Sequence, residues 1–312
     1  MTIFDDLSLL RSFLAIVESG SLSAAARKLR LTQPTLSRRL RALEEKCDAV
    51  LLRRDTHRMG LTDAGRRVLE DARAMLELAE EAQGRLRGDQ AAVAGPLRLF
   101  ATIDFGQSVV SRLIASFLQT HPAVTVALAY SNRPLHMIEE GCDAGIVAGS
   151  PGEAGVVARS LGPIRRHAVA SPEFLRERPS ATTPGDLGAW PWLALSGEQF
   201  GGSRTATFLH AEQAPQTLAI RPVMVSEGVT SLREAARLGL GVATLPEWLI
   251  GEDLVSGRLV RVLPDWRATD LTAHAVYPAQ RRLPPRVRAF VDFAVAYMTA
   301  ILKPRCIGRP LA

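Results

Sequence analysis

From Val68 to Leu86 the apolar residues Val68, Ala72, Met75, Ala79, Ala82 and Leu86 step alternately by four and three. That spacing draws one seam along a continuous helix. Leu69 and Leu76 lie one position along, and charged residues from Arg66 to Arg85 cover the remainder. Thr62 can cap the helix, with Asp63 in its first turn, and the pattern extends to about Gly88. At roughly 1.5 Å per residue such a helix reaches about 40 Å, too long to hide against one small domain. Either a partner helix covers the seam or the helix folds back on its own chain. On the first reading, charge at Met75 and Leu76 would part a dimer.

Before this helix the periodicity is helical and the charge is concentrated. Leu10, Phe13, Leu14 and Val17 share one face of a first helix, which Gly20 ends. Ser21 or Ser23 can cap a second, whose Ala24, Ala25 and Ala26 admit a close neighbour. After a turn at Arg30 and Leu31, Thr32 can cap a third, with Pro34 tolerated in its first turn. Leu36, Leu40 and Leu43 form its buried stripe, leaving Gln33, Ser37, Arg38 and Arg41 outward. Two helices joined by a tight turn, the second basic at its start, describe a helix-turn-helix. Gln pairs with adenine edges and Arg with guanine edges in a major groove. Apolar Val50, Leu51 and Leu52, basic Arg53, Arg54, His57 and Arg58, and then Leu61 predict a two-stranded wing. From Arg27 to Arg58 ten basic residues face four acidic ones, a surplus equal to the +6 of the whole chain. A positive patch of that density is the footprint of phosphate contact.

After Pro96 the pattern changes to strands alternating with helices, which implies parallel sheets. Strands are expected at Leu97–Ala101, Thr125–Tyr130 and Ala144–Ala148, with a helix from Gln107 to Gln119 and another ending at Gly141. Leu161, Gly162 and Pro163 mark a crossing, after which Arg165–Ala170 begins a second sheet. Val223–Ser226, the helix Val229–Leu238, and Val242–Leu245 continue it. Val260–Leu263 and Thr272–Tyr277 return the chain to a helix over Arg286–Leu302. Ligands in such folds sit at the carboxyl ends of strands near helix starts. Three places qualify: Thr102, Ile103 and Asp104; Ser131 and Asn132; and Ser226 and Glu227. Hydroxyls and amides there can bind an anion, or can serve merely as helix caps. Asp104 and Glu227 oppose a simple anion, so the charge of a ligand stays open.

Composition narrows the classes. At 312 residues and 47% hydrophobic, the chain fits two or three packed domains. Cys47, Cys142 and Cys306 are too scattered for a disulfide framework or zinc site, and they read as reduced thiols, with a redox role for Cys142 as the alternative. Met1 leads directly to Asp5 and Asp6 without a secretory signal, so a cytoplasmic protein without a membrane segment is expected. A nucleophile elbow, a phosphate-cradling glycine loop and a metal-ligand cluster are lacking, so neither an enzyme nor a cofactor is expected.

The stretch Leu10–Leu43, with Gly20-Ser21, Ala24-Ala25-Ala26, Thr32-Gln33-Pro34 and Leu36-Ser37-Arg38, followed by Glu44-Glu45 and Leu61-Thr62-Asp63-Ala64-Gly65, resembles the LysR-type transcriptional regulators. The resemblance implies a winged helix-turn-helix domain (1–62) and a long dimerisation linker helix (63–90). An α/β two-lobed domain like the type 2 periplasmic binding proteins follows (91–304), with a tail over 305–312. Its lobe I is expected over 96–161 and 264–304, and lobe II over 162–263. Carried over, the groove-facing positions are Gln33, Pro34, Ser37 and Arg38, with wing contacts at Arg54, His57 and Arg58. The implied partners are double-stranded DNA at an inverted repeat, a small-molecule effector, a second copy or a tetramer, and RNA polymerase. Cys47-Asp48 stands where the family has Leu-Gly, so the third helix is expected to end without a left-handed glycine cap.

Overall fold

Each of the first four helices begins where a side-chain oxygen meets the unpaired amides of a first turn. Asp6 Oδ1 accepts from the Ser8 amide at 2.9 Å and opens α1 (Leu7–Ser19). Ser21 Oγ accepts from Ala24 at 3.2 Å before α2 (Leu22–Leu29). Thr32 Oγ1 accepts from Thr35 at 3.3 Å before α3 (Gln33–Cys47). β1 (Leu52–Arg54) and β2 (Met59–Leu61) then pair antiparallel, with Leu52 opposite Leu61. Thr62 Oγ1 accepts from Gly65 at 2.9 Å and opens α4 (Asp63–Leu86). The computed structural model describes residues 6–54, 59–86, 93–132, 141–151, 155–279 and 283–301. Two units divide the chain, 1–92 and 93–312.

Three left-handed residues end the first three helices, at Gly20 (φ 64°), Arg30 (φ 53°) and Asp48 (φ 47°). The third corrects the expectation from Cys47-Asp48. Asp48 itself adopts the left-handed conformation, with its amide directed at the Glu44 and Glu45 carbonyls. Asp tolerates that region better than most side chains, so the cap survives without glycine.

Ile16, Leu22, Ala25 and Leu36 pack α1 to α3 into one cluster. Leu10, Phe13, Leu43 and Leu51 form a second, completed by Leu69, Ala72 and Leu76 of α4. Much of the expected seam is therefore covered by the chain's own head. Leu76 is 5% exposed, so charge there would break the head itself. Among the described side chains of α4, the large apolar one left outward is Leu78, 51% exposed. The Glu44 carboxylate accepts from the Leu51 and Leu52 amides at 2.9 and 3.3 Å, fastening α3 to the wing.

In the second unit β3 (Gly95–Ala101) lies parallel to β4 (Val124–Tyr130) and β5 (Ala144–Ala148). A short turn, Ile103–Phe105, and a π turn, Gly106–Val110, lead from β3 into α5 (Ser111–Thr120). β6 (Val156–Ala170) precedes α6 (Pro172–Arg176), β7 (Trp192–Leu195), β8 (Thr205–His210), β9 (Gln216–Ala219) and β10 (Pro222–Ser226). Then come α7 (Val229–Arg237), β11 (Val242–Pro246), α8 (Glu247–Val255), β12 (Val260–Arg261), β13 (Trp266–Pro278) and α9 (Pro285–Ile301). The strand order is β10-β7-β11-β6-β13-β5-β3-β4, with β12 on β6 and β8-β9 on β13.

Two expectations are corrected here. Arg165–Ala170 begins no second sheet, because it continues the same strand that carries the crossing at Gly162, whose φ of 118° bends it without a Cβ penalty. The sheet is mixed, since β6 and β13 run antiparallel to each other and β13 to β5. The helix expected to end at Gly141 and the tail after 304 lie outside the described residues. Lobe I packs Leu97, Leu99, Phe117 and Phe290 into one core. Lobe II is buried on both sheet faces, Trp192 and Phe208 on one and Leu193 and Leu245 on the other. Asp253 has no exposed side chain and pairs with Arg233 and Arg258, tying α7 to α8. Burial pushes its carboxyl up, but the guanidiniums of Arg233 and Arg258 hold it below the ordinary range. Among the described residues, no helix is long and apolar enough to cross a membrane.

A Cβ at Gly65 would stand 2.1 Å from the Leu51 carbonyl oxygen. Gly65→Ala should therefore destabilise the head by about 1–3 kcal/mol in urea denaturation followed by circular dichroism. The four tryptophans, at 190, 192, 248 and 266, all lie in the second unit, so their fluorescence transition should stay in place. A carboxyl lowered by folding stabilises above its unfolded pKa and loses that contribution as pH falls through its folded value. Asp253→Asn should thus weaken the second unit at neutral pH and flatten its acid unfolding, read by the same fluorescence.

Candidate functional site

Two constellations carry chemistry, one in each unit. On the head, Gln33, Pro34 and Arg38 are exposed at the N-terminal end of α3, and Ser37 is half-buried. Leu36 and Leu43 face inward with no exposure and fix the rotation of that helix. Arg39, adjacent in sequence, turns away and donates from Nη1 to the buried Ser12 hydroxyl at 3.2 Å. Ser23 Oγ reaches Gln33 Oε1 at 3.4 Å, a weak restraint that leaves the amide end of Gln33 outward. Arg53 is exposed on β1 beside this face. Arg54 belongs to β1, and His57 and Arg58 lie outside the described residues.

In the second unit the three predicted clusters converge on the cleft between the lobes, but they chiefly bind one another. The Asp104 carboxylate crosses the cleft and accepts from the Val229 amide at 2.9 Å, from the Thr230 amide at 3.4 Å and from the Thr230 hydroxyl. It caps α7, whose own preceding residue is Gly228 and offers no side chain. Asn132 Oδ1 accepts from the Ile103 amide at 3.0 Å, and its Nδ2 donates to the Glu227 carbonyl at 2.5 Å. Gln199 Nε2 donates to the Asn132 carbonyl at 2.5 Å, while its own carbonyl accepts from Ser150 at 3.1 Å. Thr102 Oγ1 accepts from the Ala148 amide at 3.3 Å and does not cap the turn that follows. The Ser226 hydroxyl accepts from Gly228 at 3.1 Å.

These contacts enclose a cavity of about 40 Å³, lined by Thr102, Asp104, Asn132 and Glu227 among the predicted residues. Ile103, Ser131 and Ser226 stand beside its wall instead of on it. Among the residues that sequence reasoning missed, Arg166, Phe200 and Trp248 also line it. The indole Nε1 of Trp248 is buried without a hydrogen-bond partner, closed off from the cavity that other atoms of the residue line. Behind the cleft, inside lobe II, lies a second cavity of about 260 Å³, also reached by Arg166. Burial pulls the Arg166 pKa down to about 10 and the charge of Asp270 opposes that pull. Alternation along β6 could have singled out Arg166, but only a known inner face decides between it and Arg165. Among the described residues, no group of three or more His, Cys, Asp or Glu side chains could hold a metal ion.

A model of the bacterial regulatory helix-turn-helix proteins of the lysR family matches residues 7–66, and a model of the LysR substrate binding domain matches 90–299. The HTH-type transcriptional regulator PtxR of Pseudomonas aeruginosa is 32% identical over 287 residues, covering 92% of this chain and 91% of that protein. The probable HTH-type transcriptional regulator LtrA of Klebsiella pneumoniae is 30% identical, covering 94% of each. Among solved structures, CrgA, a LysR-type transcriptional regulator from Neisseria meningitidis, shares 27% identity at a TM-score of 0.56, over 93% of this chain and 98% of that one. A full-length OxyR variant from Pseudomonas aeruginosa, 18% identical, matches in fold at a TM-score of 0.70 over 94% of this chain and 97% of its own.

Asp104→Ala should remove the cap of α7 and lower the stability of the second unit by about 0.5–2 kcal/mol, read by tryptophan fluorescence in urea. Asp104→Asn, which keeps an acceptor, should lose less. Equal losses would mean that the side chain packs without capping.

Proposed function

This chain belongs to the LysR family of bacterial DNA-binding transcription regulators, and we propose that it reads an inverted repeat as a dimer and responds to a small molecule. The observation that supports this best is the exposed, basic start of α3 beside a wing, on a head that carries the chain's surplus charge. Gln33, Pro34, Ser37 and Arg38 enter the major groove in this reading, with Arg38 donating to a guanine edge. Arg54, His57 and Arg58 meet the backbone or the minor groove from the wing. Two heads set by paired α4 helices read two half-sites, and RNA polymerase is the further partner where transcription is activated. The boundaries proposed are 1–62 for the head, 63–90 for the linker and 91–304 for the two-lobed domain, in the cytoplasm.

The effector belongs to the second unit, where Trp248 and the half-buried Arg166 line the cleft cavity. Its binding shifts the balance between lobe arrangements only by as much as it prefers one of them.

Arg38→Ala should weaken binding to a specific site by about 1–3 kcal/mol and leave random DNA much less affected, measured by fluorescence anisotropy at fixed salt. Equal losses on both would mean that Arg38 touches only phosphate. Leu78→Asp, at the outward apolar position of α4, should shift light scattering from dimer to monomer without unfolding the head. A folded variant that remains dimeric would exclude α4 pairing through this face.

A further inference from the structure

α1, α2, α3, α4 and α6 are each capped by a side chain just ahead of their own first turn. α7 takes its cap from elsewhere. The position ahead of it is Gly228, extended at φ −116° and ψ 131°, a conformation in which a serine or aspartate would cap the helix. The carboxylate that meets the Val229 and Thr230 amides belongs instead to Asp104, on the opposite lobe. A Cβ at residue 228 would stand 3.2 Å from Asp104 Oδ2, so the missing side chain is what admits the carboxylate. Capping this helix and closing the cleft are one interaction.

Other groups of the chain fasten the same gap. Asn132 of lobe I donates to the Glu227 carbonyl of lobe II, and Gln199 of lobe II donates to the Asn132 carbonyl. The Ser150 amide of lobe I donates to the Gln199 carbonyl at 3.1 Å. Beside it a Cβ at Gly149 would lie 2.2 Å from that carbonyl oxygen, so the lobes meet there backbone to backbone. The cavity of about 40 Å³ between them has room for a few waters only. Closure of this kind needs no ligand to complete it.

We propose that Asp104, Asn132 and Gln199 form an autoinhibitory latch: the chain holds its own cleft shut, and an effector entering there acts by parting the lobes. The proposal rests on the reading of the chain as effector-responsive and gives that response a direction. Ligand and latch compete for one gap, so each weakens the other by the same factor. Breaking the latch therefore shifts the lobes as the effector does.

The test is residue-resolved hydrogen exchange on the full chain, with the Ser150 amide as reporter. Its acceptor is Gln199, so it registers closure and not the capping of α7. Asp104→Ala should speed its exchange about tenfold or more, as loss of one charge-assisted hydrogen bond implies. Adding Gly228→Ser gives α7 a cap of its own. Much of the stability lost in urea should then return, while Ser150 still exchanges fast. Gln199→Ala leaves Asp104 in place, yet it should speed exchange at Val229 and Thr230. The latch is overturned if Ser150 exchanges at the parent rate in Asp104→Ala, or if Gly228→Ser restores its protection, because Asp104 would then be a cap alone. Parental exchange at Val229 and Thr230 in Gln199→Ala overturns it equally. Fluorescence anisotropy on a promoter fragment selected by the parent chain separates the latch from the reading beneath it. Fast Ser150 exchange in the double variant with an altered DNA affinity supports both. Fast exchange with parental DNA affinity upholds the latch and defeats the effector-responsive reading. Slow exchange overturns the latch and leaves that reading standing.

Discussion

β6 and β13 lie antiparallel from Val156 opposite Pro278 to Arg166 opposite Ala268, and this ladder is the constraint on which the second unit depends. A buried strand must pair its amides and carbonyls along its whole length, so two strands that serve both lobes bind them into one sheet. The register shifts between Ala268 and Leu271 and between Ala273 and His274, and Gly162 bends the partner strand beside them. The cleft therefore opens beside a join built from paired backbone, with irregularity confined to a few residues. Arg166 occupies the lobe II side of that join, which is why one side chain can face both cavities.

The head follows a different logic, in which side-chain oxygens set the ends of short helices and one glycine sets their closest approach. Four caps place α1 to α4, while Glu44 and Thr62 bind the wing at both its margins, Thr62 donating to the Val50 carbonyl at 2.6 Å. Having spent Arg39 on Ser12 and Lys28 on Glu18, the head keeps Arg38 and Arg41 outward on α3. Surplus charge counted along the sequence is thus larger than the charge free to meet phosphate.

Periodicity made the head legible almost residue by residue, because an amphipathic helix declares its own buried face and its cap at the same time. The strands of lobe I were equally legible, each bounded by polar turns. Lobe II was not. Trp192–Leu195 is a four-residue run buried on both faces, and such a run lacks the alternation that marks a strand. Thr205–His210 and Gln216–Ala219 form a hairpin on the side of β13 whose short alternation, with Ala206 and Phe208 buried, was passed over, and its place is fixed by pairing with distant residues. The three places predicted to bind a ligand do meet at one cleft, but the sequence could not tell that they would satisfy each other. Arg166 escaped because a cation on a central strand makes sense only once the two cavities beside it are known.

Asp104 changes what a ligand at this cleft must do. The start of α7, with its free amides, is the natural seat for an anion, and the chain fills it with its own carboxylate from the opposite lobe. A tethered group competes at an effective concentration that a dissolved ligand reaches only in the millimolar range or through higher affinity. Asn132 and Gln199 add further hydrogen bonds across the same gap, each contributing about 0.5–1.5 kcal/mol. A small anion aimed at α7 must therefore replace several contacts before it gains any. Its binding therefore shifts the balance between lobe arrangements only by as much as it outweighs Asp104, Asn132 and Gln199 at this gap.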